Sequence, residues 1–85
     1  MEEIHYVITD PEGVHALPAG GLVKLAQSFE CSITASGNGQ STDCKKILGP
    51  MSLGIKRGQT LSIVCDGSDE AAAITAIRDY LKDNL

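Results

Sequence analysis

Three stretches of this chain alternate apolar and polar residues with a period of two, and that rhythm narrows the fold more than any other feature. Ile4, Tyr6 and Ile8 alternate with His5, Val7 and Thr9; Cys31, Ile33 and Ala35 with Ser32, Thr34 and Ser36; Leu61, Ile63 and Cys65 with Ser62 and Val64. Successive side chains of a strand point to opposite faces, so each stretch reads as a strand with one face in the core. Strands of a fully covered parallel sheet are apolar on both faces. The alternation therefore predicts an antiparallel sheet with helices on one side and water on the other. His5 then falls on the surface.

The remaining elements fit between these strands. Gly37-Asn38-Gly39 supplies residues that tolerate positive φ and marks a hairpin into a short strand from Gln40 to Asp43. Ala19, Leu22, Leu25, Ala26 and Phe29 share one helical face, with Lys24, Gln27 and Ser28 elsewhere. Ala73, Ile74, Ile77, Tyr80 and Leu81 make the stripe of a last helix, with Asp69 and Glu70 suited to its start and Arg78 and Lys82 to its end. Between them, Lys46 to Leu53 allows two turns at most, and Pro50 makes that helix tight, distorted or late in starting. The order is βαββαβα: an α+β fold, an open-faced β-sandwich whose four-stranded antiparallel sheet is covered on one face by three helices. Gly20-Gly21 is expected to be a soft spot, since each glycine costs about 0.5–1 kcal/mol relative to alanine in a helix interior.

At 85 residues, the expectation is one domain spanning residues 1–85. With 7 basic against 11 acidic residues and a net charge of −4, a nucleic-acid partner is not expected, because polyanion binding needs clustered Lys and Arg. No apolar run approaches the roughly 20 residues that cross a bilayer, so no membrane insertion and a cytoplasmic location are expected. Cys31, Cys44 and Cys65 lack C-x-x-C spacing and read as reduced packing thiols rather than a disulfide or metal site, with a redox-sensing cysteine as the alternative left standing.

The chemistry lies in Gly13-Val14-His15-Ala16-Leu17-Pro18-Ala19, where a strand stops and a helix starts. Peptide N–H groups in a helix's first turn have no intrahelical partner and, with the dipole, favour an anion there. Pro18 is tolerated in a first turn. His15 thus sits at or just before the cap, with its ring free to face solvent. Histidine is a competent nucleophile when its ring nitrogen is neutral, a form that the positive helix end favours. The inference is a phosphorylatable histidine; a solvated loop histidine is the bland alternative.

The segment resembles the active-site signature of the histidine-containing phosphocarrier (HPr) family of the bacterial sugar phosphotransferase system: Gly, an aliphatic residue, His, Ala, Arg, Pro, Ala. Lys45-Lys46-Ile47-Leu48-Gly49-Pro50-Met51-Ser52-Leu53-Gly54 resembles that family's second helix, and Val64-Cys65-Asp66-Gly67-Ser68-Asp69-Glu70-Ala71 resembles the lead into its last helix. The resemblance covers essentially the whole chain. It implies a monomeric, cytoplasmic phosphocarrier that is not itself an enzyme and needs no cofactor and no metal. His15 would take a phosphoryl group on Nδ1 from enzyme I and pass it to a sugar-specific enzyme IIA. The backbone N–H groups of Ala16 and Leu17 would stabilise the phosphate, and Leu17, Gly20, Ile47, Leu48 and Met51 would form the partner-binding surface. Partial exposure of Leu48 and Met51 is favoured over their burial.

Two positions depart from the family pattern. Leu17 stands where the family has arginine, and leucine cannot offer a phosphate the two parallel donors of a guanidinium. Lys24, or Lys45 or Lys46 from the second helix, would be an imperfect substitute. Lys46 stands where regulated members carry a phosphorylatable serine, so that switch is expected to be absent. Ser52 matches another family serine and reads as a structural hydroxyl. These departures support the competing reading, an HPr-like regulatory or protein-binding module with weakened or redirected phosphotransfer, partnered by a regulatory protein. A metal or thiol enzyme is disfavoured, since no ligand spacing or activating base is evident.

Overall fold

The computed structural model describes residues 1–85. Its elements run β1 (Glu2–Val7), α1 (Ala16–Gln27), β2 (Ser32–Gly37), β3 (Gln40–Asp43), α2 (Gly49–Ser52), β4 (Thr60–Asp66) and α3 (Glu70–Asn84). The four strands form one antiparallel sheet in the order β1-β4-β2-β3. Ile4 lies opposite Ile63, and Ile33 opposite Cys65, so the apolar faces of the central strands align. Asn38 (φ 53°) and Gly39 (φ 77°) make the two-residue turn between β2 and β3, the left-handed pair that suits a tight hairpin.

The period-two pattern becomes burial where the helices cover it. Ile33, Ala35, Leu61, Ile63 and Cys65 are buried, and their polar neighbours point away. Ile8 is buried as expected but lies past the end of β1: its N–H meets Gln59 O at 2.9 Å and its carbonyl accepts the Gly58 N–H at 2.8 Å. From α1 come Pro18, Ala19, Leu22, Val23 and Ala26, and from α3 Ala73, Ile74, Ile77 and Leu81. Val23 was missing from the expected face. Leu25 and Phe29 are only partly buried, and Phe29 falls after the helix, where its N–H bonds Ala26 O at 3.2 Å.

Gly21 acts as more than a weak point in α1. A Cβ there would fall 2.2 Å from the Tyr80 hydroxyl, which donates to Pro18 O at 2.6 Å and ties α3 to the first turn of α1. Nothing approaches the corresponding position at Gly20 within 4 Å. The short second helix does start late, with Leu48 and not Lys46 at its N-cap. Ser52 Oγ donates to Gly49 O at 2.6 Å, the structural use expected of it.

Asp69 departs from a plain dipole role. Its carboxylate makes no cap bond within α3 and instead accepts the N–H groups of Glu30 (2.8 Å) and Cys31 (2.9 Å), fastening the start of β2 to the start of α3. All three cysteines are free and buried. Burial first of all pushes the Cys44 and Cys65 thiols up to about 12 and raises that of Cys31. They remain protonated packing groups, a setting unlike that of a reactive thiolate.

Candidate functional site

His15 is the N-cap of α1, and the preceding loop puts it there. The N–H groups of Thr9 (2.6 Å) and Asp10 (2.9 Å) and the Thr9 hydroxyl (2.9 Å) all donate to the main-chain oxygen of Leu85. The turn closes through Gly13 N–H to Asp10 O at 2.9 Å. Gly13 has φ +70°, and a Cβ on it would sit 2.5 Å from Ile55 O, so no other residue fits without moving backbone. Val14 follows, buried, with its N–H on that same Ile55 oxygen at 2.9 Å. With Val14 directed inward, His15 is directed outward.

His15 is extended (φ −97°, ψ 176°) and its side chain makes no cap bond. Its carbonyl accepts the Ala19 N–H at 3.0 Å. Ala16 and Leu17 occupy the first turn, where no intrahelical acceptor exists for an N–H. An anion beside the ring would meet these donors and the positive end of the helix dipole.

The ring is less free than the sequence suggested. His15 Nε2 lies 3.3 Å from Asp10 Oδ2 in hydrogen-bond geometry, and Nδ1 lies 3.3 Å from Glu12 Oε2. The other Asp10 oxygen accepts the Glu12 N–H at 2.8 Å. That backbone donor, followed by His15, holds the Asp10 carboxyl below its usual range. Asp10, Glu12 and His15 offer donor atoms within 4.8 Å of one another. The two carboxylates approach opposite ring nitrogens, but only the Asp10–Nε2 contact has hydrogen-bond geometry. Sequence reasoning passed over both acids, and their signal was their place on either side of Pro11, just before Gly13.

A shallow pocket of about 380 Å³ opens beside the ring, lined by Asp10, His15, Leu17, Pro18, Tyr80 and Asn84. A larger groove of about 580 Å³ along β2 and β3 contains none of these residues. Leu17 is 84% exposed, Ile47 77% and Leu48 63%; Met51 and Gly20 are exposed as well. The helices α1 and α2 pack against each other, and each carries part of this apolar surface.

The lysines considered as stand-ins for an arginine are not gathered here. Lys45 Nζ donates to Phe29 O at 2.7 Å, and Lys46 lies exposed in the turn before α2 with its N–H on Asp43 O at 3.2 Å. Lys24 is an exposed residue of the last turn of α1. The charged side chains against the ring are both acidic.

Residues 2–83 match the family described as the PTS HPr component phosphorylation site. The fold is similar to that of the histidine-containing phosphocarrier protein of Mycoplasma, at 36% identity over 96% of this chain and 93% of that one, with TM-score 0.93. It is similar to HPr of Thermoanaerobacter tengcongensis at 32% identity, 98% and 93% coverage and TM-score 0.90. Crh of Bacillus subtilis, a catabolite repression protein described as a domain-swapped dimer, matches at 25% identity, 94% and 92% coverage and TM-score 0.76. Match length and identity together place this chain in the HPr phosphocarrier family.

Proposed function

We propose that the chain is a phosphoryl carrier of the phosphotransferase system, in which His15 accepts a phosphoryl group from phosphorylated enzyme I and delivers it to an enzyme IIA. The observation that carries this reading is a partly exposed histidine at the N-cap of α1, with the Ala16 and Leu17 N–H groups in the turn behind it. The Nδ1 lone pair forms the new N–P bond as the donor's bond to phosphorus breaks and its electron pair returns to the donor. The first-turn N–H groups stabilise the phosphoryl oxygens, and transfer rests on positioning and charge rather than on a bound metal or cofactor. Glu12, 73% exposed, faces the Nδ1 side of the ring at 3.3 Å. Leu17, Gly20, Ile47, Leu48 and Met51 form the surface on which the two partners dock in turn. In this reading the chain acts as a single domain over residues 1–85, monomeric and cytoplasmic, and is a carrier rather than an enzyme.

A second reading is favoured by Leu17 and Lys46, which remove a phosphate ligand and a modifiable serine: an HPr-like module whose main role is to bind a regulatory partner. Incubation with enzyme I and labelled phosphoenolpyruvate separates them. The carrier takes up acid-labile label that is lost in His15→Ala and passes to enzyme IIA. No label on the wild-type chain, or label that persists in His15→Ala, refutes the carrier reading.

A further inference from the structure

We propose that Asp10 is a positioning residue for His15: by accepting the Nε2–H hydrogen bond it keeps the proton off Nδ1, and Glu12 competes with it from the other side of the ring. The inference rests on the carrier reading for its consequence, though the state of the ring can be measured without any phosphotransfer.

The geometry separates the two acids. Asp10 is held at both ends: its N–H bonds Leu85 O at 2.9 Å, and Oδ1 accepts the Glu12 N–H at 2.8 Å. Only Oδ2 remains, and it meets Nε2 at 3.3 Å in hydrogen-bond geometry. A neutral imidazole carries one N–H and one lone pair, so the nitrogen opposite the better acceptor becomes the nucleophile. Asp10 therefore assigns the lone pair to Nδ1. Glu12 has no such anchor for its side chain, which is 73% exposed and faces Nδ1 at 3.3 Å. A carboxylate and a lone pair at that distance repel, so Glu12 draws the proton towards Nδ1 and works against the reactive tautomer.

The same arrangement acts after transfer. Once phosphorus is bonded to Nδ1 and the donor has left with its electron pair, Nε2 still holds its proton and the ring carries the positive charge. Asp10 lies beside that charge and stabilises it, whereas Glu12 repels the phosphoryl oxygens. One acid supports the loaded state and the other opposes it.

The test uses the full chain and four variants: Asp10→Ala, Asp10→Asn, Glu12→Gln and the double variant Asp10→Ala/Glu12→Gln. Asp10→Asn retains an oxygen acceptor for the loop, which guards against a misfolded Asp10→Ala. Ring ¹⁵N shifts, read at alkaline pH where the imidazole is neutral, report the tautomer. Nδ1 should be unprotonated in wild type, and the proton should move towards Nδ1 in Asp10→Ala. Phosphoryl uptake from enzyme I should fall at least tenfold in Asp10→Ala, fall less in Asp10→Asn and rise in Glu12→Gln. The double variant should recover much of the lost rate, since the opposing acid has gone. Unchanged ring shifts in Asp10→Ala, or a double variant as slow as Asp10→Ala, overturn the proposal. If no variant or wild type takes up label, the carrier reading has failed, and the ring shifts alone still decide the role of Asp10.

Discussion

Gly20 and Gly21 are adjacent in α1, yet alanine should have opposite consequences at the two. Both lie inside the helix, so each substitution gains the same intrinsic propensity, about 0.5–1 kcal/mol. At Gly20 nothing lies within 4 Å of the added carbon, and the gain stands. At Gly21 the new Cβ would overlap the Tyr80 hydroxyl at 2.2 Å and crowd Cζ at 3.0 Å. The ring must move, which breaks its 2.6 Å bond to Pro18 O. A lost hydrogen bond costs about 0.5–1.5 kcal/mol and overpacking about 1–3, so the two variants should differ by roughly 2–4 kcal/mol. For a chain of this size that is a gap in Tm of roughly 8 °C at the least. Thermal melts of both variants, repeated with Tyr80→Phe, check it, since removing the hydroxyl should shrink the Gly21→Ala penalty by half or more. A Gly21→Ala protein that melts with or above Gly20→Ala would mean that Tyr80 does not rest on this glycine.

Leu17→Arg should speed phosphoryl uptake through His15 by ten- to a hundredfold, because a charge-assisted contact to phosphate is worth about 1.5–3 kcal/mol where it acts on the transition state. An unchanged or lower rate in transfer assays with enzyme I and enzyme IIA would show that Leu17 is an apolar anchor for a partner. An ATP-dependent HPr kinase should leave the chain unmodified, since Lys46 has no hydroxyl; stoichiometric serine phosphate at Ser52 or Ser41, found by mass spectrometry, contradicts this. The Asp69 carboxyl is held low chiefly by the Glu30 N–H, then by Cys31. A depressed folded-state pKa contributes stability that is complete above the unfolded-state value and lost as pH falls through the folded one. Asp69→Asn should therefore melt lower at neutral pH and show a flatter acid limb in Tm against pH, and parallel limbs in the two proteins would refute the role.

The sheet was legible because its alternation is local: Ile33 and Ala35, or Leu61 and Ile63, declare an inner face without any knowledge of their partners. Strand order was not, because nothing in β1 alone states that β4 pairs with it. Lys46 to Leu53 read as a short helix that would be tight, distorted or late in starting, because Pro50 acts on its immediate neighbours, and the late start is the one of these that occurs. The exposure of Leu48 and Met51 came from family likeness, since composition alone would bury them. Around His15, a position at or just before the cap followed from Pro18, which suits a first turn. The acids had only a weak local signal in their place around Pro11: Asp10 reaches the ring because Leu85 holds the loop and Val14 is pinned to Ile55. Gly21 was legible as a glycine but not as the seat of Tyr80, which is far away in sequence.

The side-chain bond from Thr9 to Leu85 joins positions 76 residues apart, and the Asp10 N–H reaches the same oxygen. β1 finds its ladder partner only in Thr60–Asp66. A chain growing on the ribosome thus carries His15 early, but lacks the loop that orients it until the final helix has emerged and docked. Closing so long a loop carries its entropy cost before any contact offsets it. A chain without its last helix consequently holds the histidine without the loop that orients it, and that orientation arrives in one late step as the helix docks.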